Sequence, residues 1–271
     1  MIIFPNAKIN LGLHILRKRM DGYHEIQTCM YPIPLKEALE MIPSEAFSFS
    51  SSGISIPGNA DQNLIVKAYQ LLSADFPEMS PVAAHLHKNI PIGAGLGGGS
   101  ADAAYALRLL NEQFSLGLNL KQLEDYASQL GSDCPFFIQN KPQIASGRGE
   151  ILEPFPIDLA GNWICLVHPG IHIGTKEAYA GIKPNERSED LTAILSEPSS
   201  WESKLVNDFE SGIFNAYPEI AAIKTSMYKA GAWYAAMSGS GSAVFGIFKE
   251  SPENLGFPDH YFIYSEELPR I

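Results

Sequence analysis

Between Pro91 and Ser100 the chain reads PIGAGLGGGS, with five glycines in the seven residues from Gly93 to Gly99, and runs directly into the alanine-rich ADAAYAL. Glycine lets backbone N–H groups close on a ligand without interference from a Cβ. A helix beginning there adds unpaired N–H donors and the positive end of its dipole. The preceding VAAHLHKN carries small and β-branched residues and is followed within a residue by a proline, so the predicted local order is strand, glycine loop, helix. That order makes an anion site, and phosphate is the anion it suits.

Two standard phosphate loops fail against it. The pattern GxxxxGK[ST] fits from Gly93 to Gly98 and again at Ser100, but Gly99 stands where the phosphate-gripping lysine belongs. The pattern GxGxxG fits literally at Gly93, Gly95 and Gly98, yet the next element is a second helix, NLKQLEDYASQL, and not a strand ending in an acidic residue. A plain glycine-rich turn is the structural alternative. Ala101, Ala103, Ala104 and Ala106 argue instead for a helix packed closely on its neighbours.

Other residues able to do chemistry sit on short elements. In AKINLGLHI, apolar Ile9, Leu11, Leu13 and Ile15 alternate with Lys8, Asn10, Gly12 and His14, as in a half-buried strand. The polar row is expected to face solvent, with Gly12 permitting close approach of a ligand or another backbone. Asp21-Gly22 marks a tight turn, and Tyr23 and His24 open the return strand, so a hairpin would aim an aromatic ring and an imidazole from one corner. Asp133 lies in a Ser-Asp-Cys-Pro turn ahead of an apolar stretch read as a strand, and Pro135 keeps Cys134 from ordinary helical geometry. His85 and His87 share a strand face at the spacing of a metal pair, but with no third ligand evident they read as structural.

The elements that must position these residues form a mixed pattern. Residues 36–60 alternate weakly, with FSFSSSGISIPGN suggesting another strand pair. Leu64, Ile65, Ala68, Leu71 and Leu72 form a helical stripe that Asp61 or Asn63 can cap, and a further helix runs from Asn119 or Leu120 to about Leu130, stopped by Gly131. EPFPIDL breaks the pattern at 153–159. Beyond it come the buried strand WICLVH, three or four helical segments between Thr175 and Ala230, the strand pair around Gly239-Ser240-Gly241, and a closing strand in YFIYSEEL. Without strict βαβ alternation, this is an α+β chain of two lobes.

Composition narrows the partners. The chain has 271 residues, 45% of them apolar, and a formal charge of −11, which repels nucleic acid and requires a local basic pocket for any anionic substrate. Small molecules are the expected partners. The three scattered cysteines, Cys29, Cys134 and Cys165, offer neither a disulfide framework nor a CxxC pair and suit a reducing cytoplasm. No apolar run approaches membrane-spanning length, and the first apolar residues precede the basic cluster Arg17, Lys18 and Arg19, the reverse of a secretory signal.

PIGAGLGGGSADAA, with AKINLGL near the start and MSGSGSAVFGIF near the end, resembles the three motifs of the galactokinase, homoserine kinase, mevalonate kinase and phosphomevalonate kinase (GHMP) superfamily. AKINLGLHILRKRMDGYHEI, LGSDCPFFI, HPGIHIGT and LVNDFE resemble its branch acting on a cytidine-diphosphate-linked methylerythritol; matching stretches extend from residue 6 to residue 248. The resemblance implies a two-lobed GHMP kinase fold: a ribosomal-protein-S5-like nucleotide-binding lobe over residues 1–153 and a smaller α+β substrate-binding lobe over 154–271. It implies ATP as donor, magnesium with it, phosphate transfer to the 2-hydroxyl of the cytidyl alcohol, and a monomer or weak homodimer with no nucleic acid or membrane partner.

It also implies roles. Pro91, Gly93, Ala94, Gly95, Leu96, Gly97, Gly98, Gly99 and Ser100 would hold the triphosphate, and Lys88, otherwise one more surface lysine at a strand end, would lie near the nucleotide. Asp133 would accept the hydroxyl proton while Lys8 stabilises that carboxylate and orients the hydroxyl; a structural ion pair is the alternative. Asn10 and Thr175 would contact the second substrate. Cytosine would lie between Tyr23 and Tyr179, with His24 reading its edge. Asn207 and Asp208 match motif residues, or simply cap the next helix. Where the family has Ser-Ser-Asn, this chain has Ser100-Ala101-Asp102, placing a carboxylate in the first helical turn. No DxD cluster marks protein ligands for magnesium. Another superfamily kinase should lack the DGYH hairpin, and a non-catalytic sensor should have lost Lys8 or Asp133; all are present.

Overall fold

In the computed structural model, which describes residues 1–185, 189–253 and 255–271, a short strand β1 (Ile2–Ile3) precedes the long strands β2 (Asn6–Lys18) and β3 (His24–Lys36), joined by the expected turn. The polar row of β2 departs from expectation. Lys8, Asn10 and His14 are as buried as Ile9 and Leu11. Part of the cover is seen at Gly12, whose φ is +65°: a Cβ there would meet Leu205 at 2.7 Å and Leu191 at 3.1 Å, so these two side chains lie on the face expected in water.

After β4 (Ala38–Pro43), the stretch FSFSSSGISIPGN supplies one strand, β5 (Ser48–Gly53), and not the expected pair; β4 and β5 do not pair with each other. Both instead flank β6 (Val82–Lys88), β4 antiparallel and β5 parallel to it, giving the sheet order β1-β4-β6-β5. Helix α1 (Leu64–Asp75) starts where Asn63 accepts the Ile65 N–H, so Asn63 and not Asp61 is its cap. Helix α2 (Gly98–Gln113) follows the glycine loop, and Ala101, Ala103, Ala104 and Ala106 are wholly buried on it, which lets α1 and α3 (Leu120–Leu130) pack closely. α3 begins in a capping box between Asn119 and Gln122 and ends at Gly131. After the Asp133 turn comes a one-turn helix, α4 (Phe136–Gln139), where a strand was expected. The run FFI carries no period long enough to separate the two.

β7 (Gln143–Ser146) and β8 (Ile151–Pro154) extend the first hairpin into the sheet β2-β3-β7-β8. β9 (Trp163–His168) is the buried strand expected there. Five helices follow among the described residues, α5 (Thr175–Ala180), α6 (Leu191–Leu195), α7 (Trp201–Lys204), α8 (Glu210–Ala216) and α9 (Pro218–Lys229), more than the three or four expected because several last only one or two turns. β10 (Tyr234–Met237), β11 (Val244–Phe248) and β12 (Phe262–Glu267) complete the antiparallel sheet β10-β11-β9-β12.

These elements gather into two units, each assembled from separated stretches. The first takes Met1–Ala7, Leu35–Ile92 and Gly97–Lys141; the second takes Lys8–Pro34, Gly93–Leu96 and Pro142–Ile271. The first unit holds the sheet β1-β4-β6-β5 with helices α1 to α4. In the second, Leu13, Ile15, Val167, Phe209, Ile220 and Met227 belong to one buried cluster between sheets and helices. All three cysteines are free and buried.

Candidate active site

In the first unit, Gly97 caps α2 with φ +72°, a left-handed conformation that favours glycine. The first intrahelical bond of the turn runs from Ala101 N to Gly97 O at 2.9 Å, so the N–H groups of Gly98, Gly99 and Ser100 open outward at the helix start. Around Gly99 nothing stands within 4 Å of a built Cβ. That exposed glycine, with donors on either side, has the shape of a phosphate cradle.

Below it lies a cluster of charges that was not foreseen. Lys88 is no surface lysine: it is 4% exposed, and its Nζ donates to Glu37 Oε1 at 2.6 Å and Asp102 Oδ2 at 2.8 Å. Nζ also lies 3.1 Å from the point a Gly98 Cβ would occupy, directly against the first residue of α2. Because α2 starts at Gly98, Asp102 is its fifth residue and not part of the first turn. Its side chain turns inward to the lysine. Burial foremost, and then the charge of Glu37, push the Asp102 carboxyl up to about 8 against the pull of Lys88. Lys88 moves up as well, because two carboxylates outweigh the burial that lowers it. Glu37, in LKEALEM between two strands, belongs to no motif, and no local signal in the sequence marks it.

Asp133 is half-buried in the turn between α3 and α4, also in the first unit. The Ser100 hydroxyl lies beside the thiol of Cys134, next in the chain to Asp133, and so ties the start of α2 to that turn. Nearby, Gly99 and Asp102 line one side of a pocket of about 340 Å³ whose other walls include Phe49, Ile56, Asn59 and Leu64. The pocket has apolar surface and amide groups, within the size range of small-ligand sites.

The second unit holds the rest. Lys8 Nζ donates to Asn10 Oδ1 at 2.5 Å and to Gly95 O at 3.1 Å, while Asn10 Nδ2 donates to Thr28 Oγ1 at 3.0 Å. The strand thus delivers a buried ammonium and fixes the amide that orients it. Gly93–Leu96 packs on the late loop: Ser238 Oγ donates to Gly95 O at 2.9 Å, and a Cβ at Gly95 would lie 1.9 Å from Ser238 O. Asn207 ties the start of α8 to the late loop, although the residue at the helix N-cap is Phe209 and not Asn207. Its Oδ1 accepts from Phe209 N at the start of α8, and its Nδ2 donates to Met237 O and Gly239 O, each at 2.8 Å. His172, in HPGIHIGT, would lie 2.5 Å from a Gly93 Cβ, a neighbour of the loop that spacing alone did not reveal.

The aromatic group differs from the expected sandwich. Tyr179 stacks on His24, with centroids 4.8 Å apart and planes at 22°, and meets Phe209 edge-on. Tyr23 is exposed, and the Arg148 guanidinium lies over its ring at 5.0 Å. The ring stacked directly on Tyr179 is thus His24 and not Tyr23. Burial and then the charge of Lys18 hold the His24 imidazole below its usual range, leaving one donor and one acceptor nitrogen at neutral pH. Thr175 is exposed at the first turn of α5.

Among the described residues no group of three or more His, Cys, Asp or Glu could hold a metal ion, and no helix is long and apolar enough to cross a membrane. His85 and His87 are exposed on β6, bonded to Ser50 and Ser52.

With this geometry in place, residues 63–141 match the GHMP kinases N terminal domain and residues 193–256 the GHMP kinases C terminal domain. The chain is 54% identical over 257 residues to the 4-diphosphocytidyl-2-C-methyl-D-erythritol kinase of Cytophaga hutchinsonii, covering 94% of this chain and 95% of that one. Its identity to the Bacteroides fragilis enzyme of the same name is 51% over 258 residues, 93% of each chain. A crystal structure of 4-(cytidine 5'-diphospho)-2C-methyl-D-erythritol kinase is similar with a TM-score of 0.77 at 32% identity, covering 91% of this chain and 90% of that one. The Methanococcus jannaschii mevalonate kinase, at 13% identity and a TM-score of 0.72 over 99% of this chain and 98% of its own, shares the fold.

Proposed function

The chain belongs to the GHMP kinases, among the 4-diphosphocytidyl-2-C-methyl-D-erythritol kinases, and on that premise we propose that it transfers the γ-phosphate of ATP to the 2-hydroxyl of 4-diphosphocytidyl-2-C-methyl-D-erythritol, on the methylerythritol phosphate route to isoprenoid precursors. The observation that carries the chemistry is the start of α2, where three successive N–H groups surround an uncovered Gly99.

Phosphoryl transfer asks little covalent help of a protein; it requires the phosphates held, their charge offset, and the attacking hydroxyl aligned and relieved of its proton. In this reading Gly97 to Ser100 grip the phosphates, and the adenosine occupies the pocket that begins at Gly99 and Asp102. Asp133 accepts the hydroxyl proton. Lys8, oriented by Asn10 and Gly95 O, aligns the hydroxyl and offsets charge on the transferred group. Tyr23, His24 and Tyr179 hold the cytosine, whose entry displaces one ring of the His24–Tyr179 stack, and Thr175 and Asn10 contact the rest of the substrate. Among the described residues the side chains form no metal cage, and magnesium is proposed to enter on the phosphates of ATP, whose charge it would offset when bound. Residues 1–153 and 154–271 are proposed to supply mainly the nucleotide and mainly the alcohol contacts. The protein is proposed to be cytoplasmic, and a monomer or weak homodimer.

A coupled ADP-release assay over the cytidyl alcohol, homoserine and mevalonate, with the new phosphate located by phosphorus NMR, tests this reading. Turnover of the cytidyl alcohol alone, with phosphate on its 2-hydroxyl, is expected. Homoserine or mevalonate turned over at equal or higher kcat/KM would sink it.

A further inference from the structure

We propose that nucleotide binding draws one proton onto Asp102, making the Glu37–Lys88–Asp102 triad a proton-linked support for the phosphate end of the site. The proposal rests on the reading of this site as the ATP site.

The triad holds two carboxyl groups against one ammonium, all at most 4% exposed, with no bulk water to absorb the excess negative charge. The two acids are not equally provided for. Glu37 takes three donors on its two oxygens: Lys88 Nζ at 2.6 Å, Asn89 N at 2.9 Å and Ile90 N at 3.1 Å. Asp102 takes a donor from Lys88 on Oδ2 and otherwise faces the Glu37 carboxylate, while its buried Oδ1 has no hydrogen-bond partner. An ionised carboxylate with a bare buried oxygen is costly, whereas a carboxylic acid loses much less by it. The proton of the triad therefore belongs to Asp102.

Position turns that proton into a binding term. Lys88 Nζ abuts Gly98, Asp102 lies one turn along the same helix, and Asp102 lines the pocket beside the open Gly99. A triphosphate on the N–H groups of Gly98 to Ser100 brings several negative charges to this point. Neutral Asp102 tolerates them better than ionised Asp102, so binding favours the protonated form. The charged groups acting on Asp102 are Lys88 from β6 and Glu37 from the β3–β4 connection, and they oppose one another.

The pH window follows from the free-state value of about 8. Below it Asp102 already carries its proton, and binding takes up none there. Above it the free protein has released the proton and the complex regains it, so affinity falls with rising pH by at most about tenfold per unit.

Calorimetric titration with the magnesium complex of a non-hydrolysable ATP analogue, in two buffers of different ionisation enthalpy, counts the protons. At about pH 8.5 the wild type is expected to take up roughly half to one proton more than Asp102→Asn, a difference that vanishes near pH 6.5. The near-isosteric asparagine keeps an oxygen for Lys88 and removes only the titration. Equal proton counts for the two proteins at the higher pH, with binding intact, overturn the proposal alone; absence of binding by the wild type at every pH overturns the nucleotide reading along with it. Should Asp102→Asn not fold, the wild type alone decides: uptake that fails to rise between the two pH values overturns the proposal.

Discussion

The two halves of the glycine loop use the same residue for opposite reasons. At Gly95 the space is already taken: a Cβ would stand 1.9 Å from Ser238 O, and one at Gly241, in the facing loop, would stand 2.1 Å from the Ala94 carbonyl carbon. At Gly99 a Cβ would meet nothing within 4 Å. The first half is glycine because protein backbone lies against it; in the proposed reading the second is glycine because a ligand must be able to lie there. A glycine-rich motif is thus part clasp and part cradle, and only the cradle should report on phosphate directly.

Substitutions can break that distinction. Gly95→Val combines a positive φ with backbone collision and should cost about 3 kcal/mol or more, seen as a large fall in Tm or loss of soluble protein. A Tm within a few degrees of wild type would show that the clasp yields. Lys88→Met strands two buried acids beneath the cradle and should cost roughly 3–5 kcal/mol in denaturant unfolding. A cost below about 1 kcal/mol would mean the cluster is solvated or rearranged.

Gly99→Val should instead leave Tm nearly unchanged while weakening ATP about tenfold or more, because its side chain enters only open space, the space proposed for phosphate. Equal Tm losses at positions 95 and 99 would erase the contrast. Tyr179→Ala should raise KM for the cytidyl substrate by the equivalent of about 1–3 kcal/mol and spare KM for ATP. Equal effects on both would reduce Tyr179 to packing for His24 and Phe209.

Asp102→Asn should have the smallest effect on the free protein, and one that depends on pH. With its folded value raised above that of an unfolded aspartate, Asp102 contributes stability that is full in acid and lost as pH rises through about 8. The Tm advantage of the asparagine variant should therefore grow from pH 5 to pH 8.5, and a flat difference would remove the buried titration.

What could be read from the chain was what is encoded locally. The strand–loop–helix order at 82–113, a cap at Asp61 or Asn63, a helix start at Asn119 or Leu120 and the stop at Gly131 follow from neighbouring residues; the structure has that order, the Asn63 cap, a helix from Leu120 and the stop. Long-range cover was not legible. Alternation in β2 could not reveal that Leu191 and Leu205 would cover Gly12 in its polar row, and residues 37, 88 and 102 become a cluster only where the β3–β4 connection, β6 and α2 converge. A run as short as FFI leaves helix and strand undecided, and spacing cannot specify which ring Tyr179 meets. Local chemistry marked the glycine loop proposed as the phosphate cradle, whereas the buried charges beneath it had to be seen in three dimensions.

Catalysis by a positioned carboxylate next to that cradle is tested most directly at Asp133. Steady-state turnover of Asp133→Asn with ATP and the cytidyl alcohol, alongside calorimetric ATP binding, should give a kcat lower by about 10²–10⁴ with ATP affinity close to wild type, the scale of a lost general base. A kcat within about threefold of wild type would contradict the assignment of Asp133 as the group that takes the hydroxyl proton.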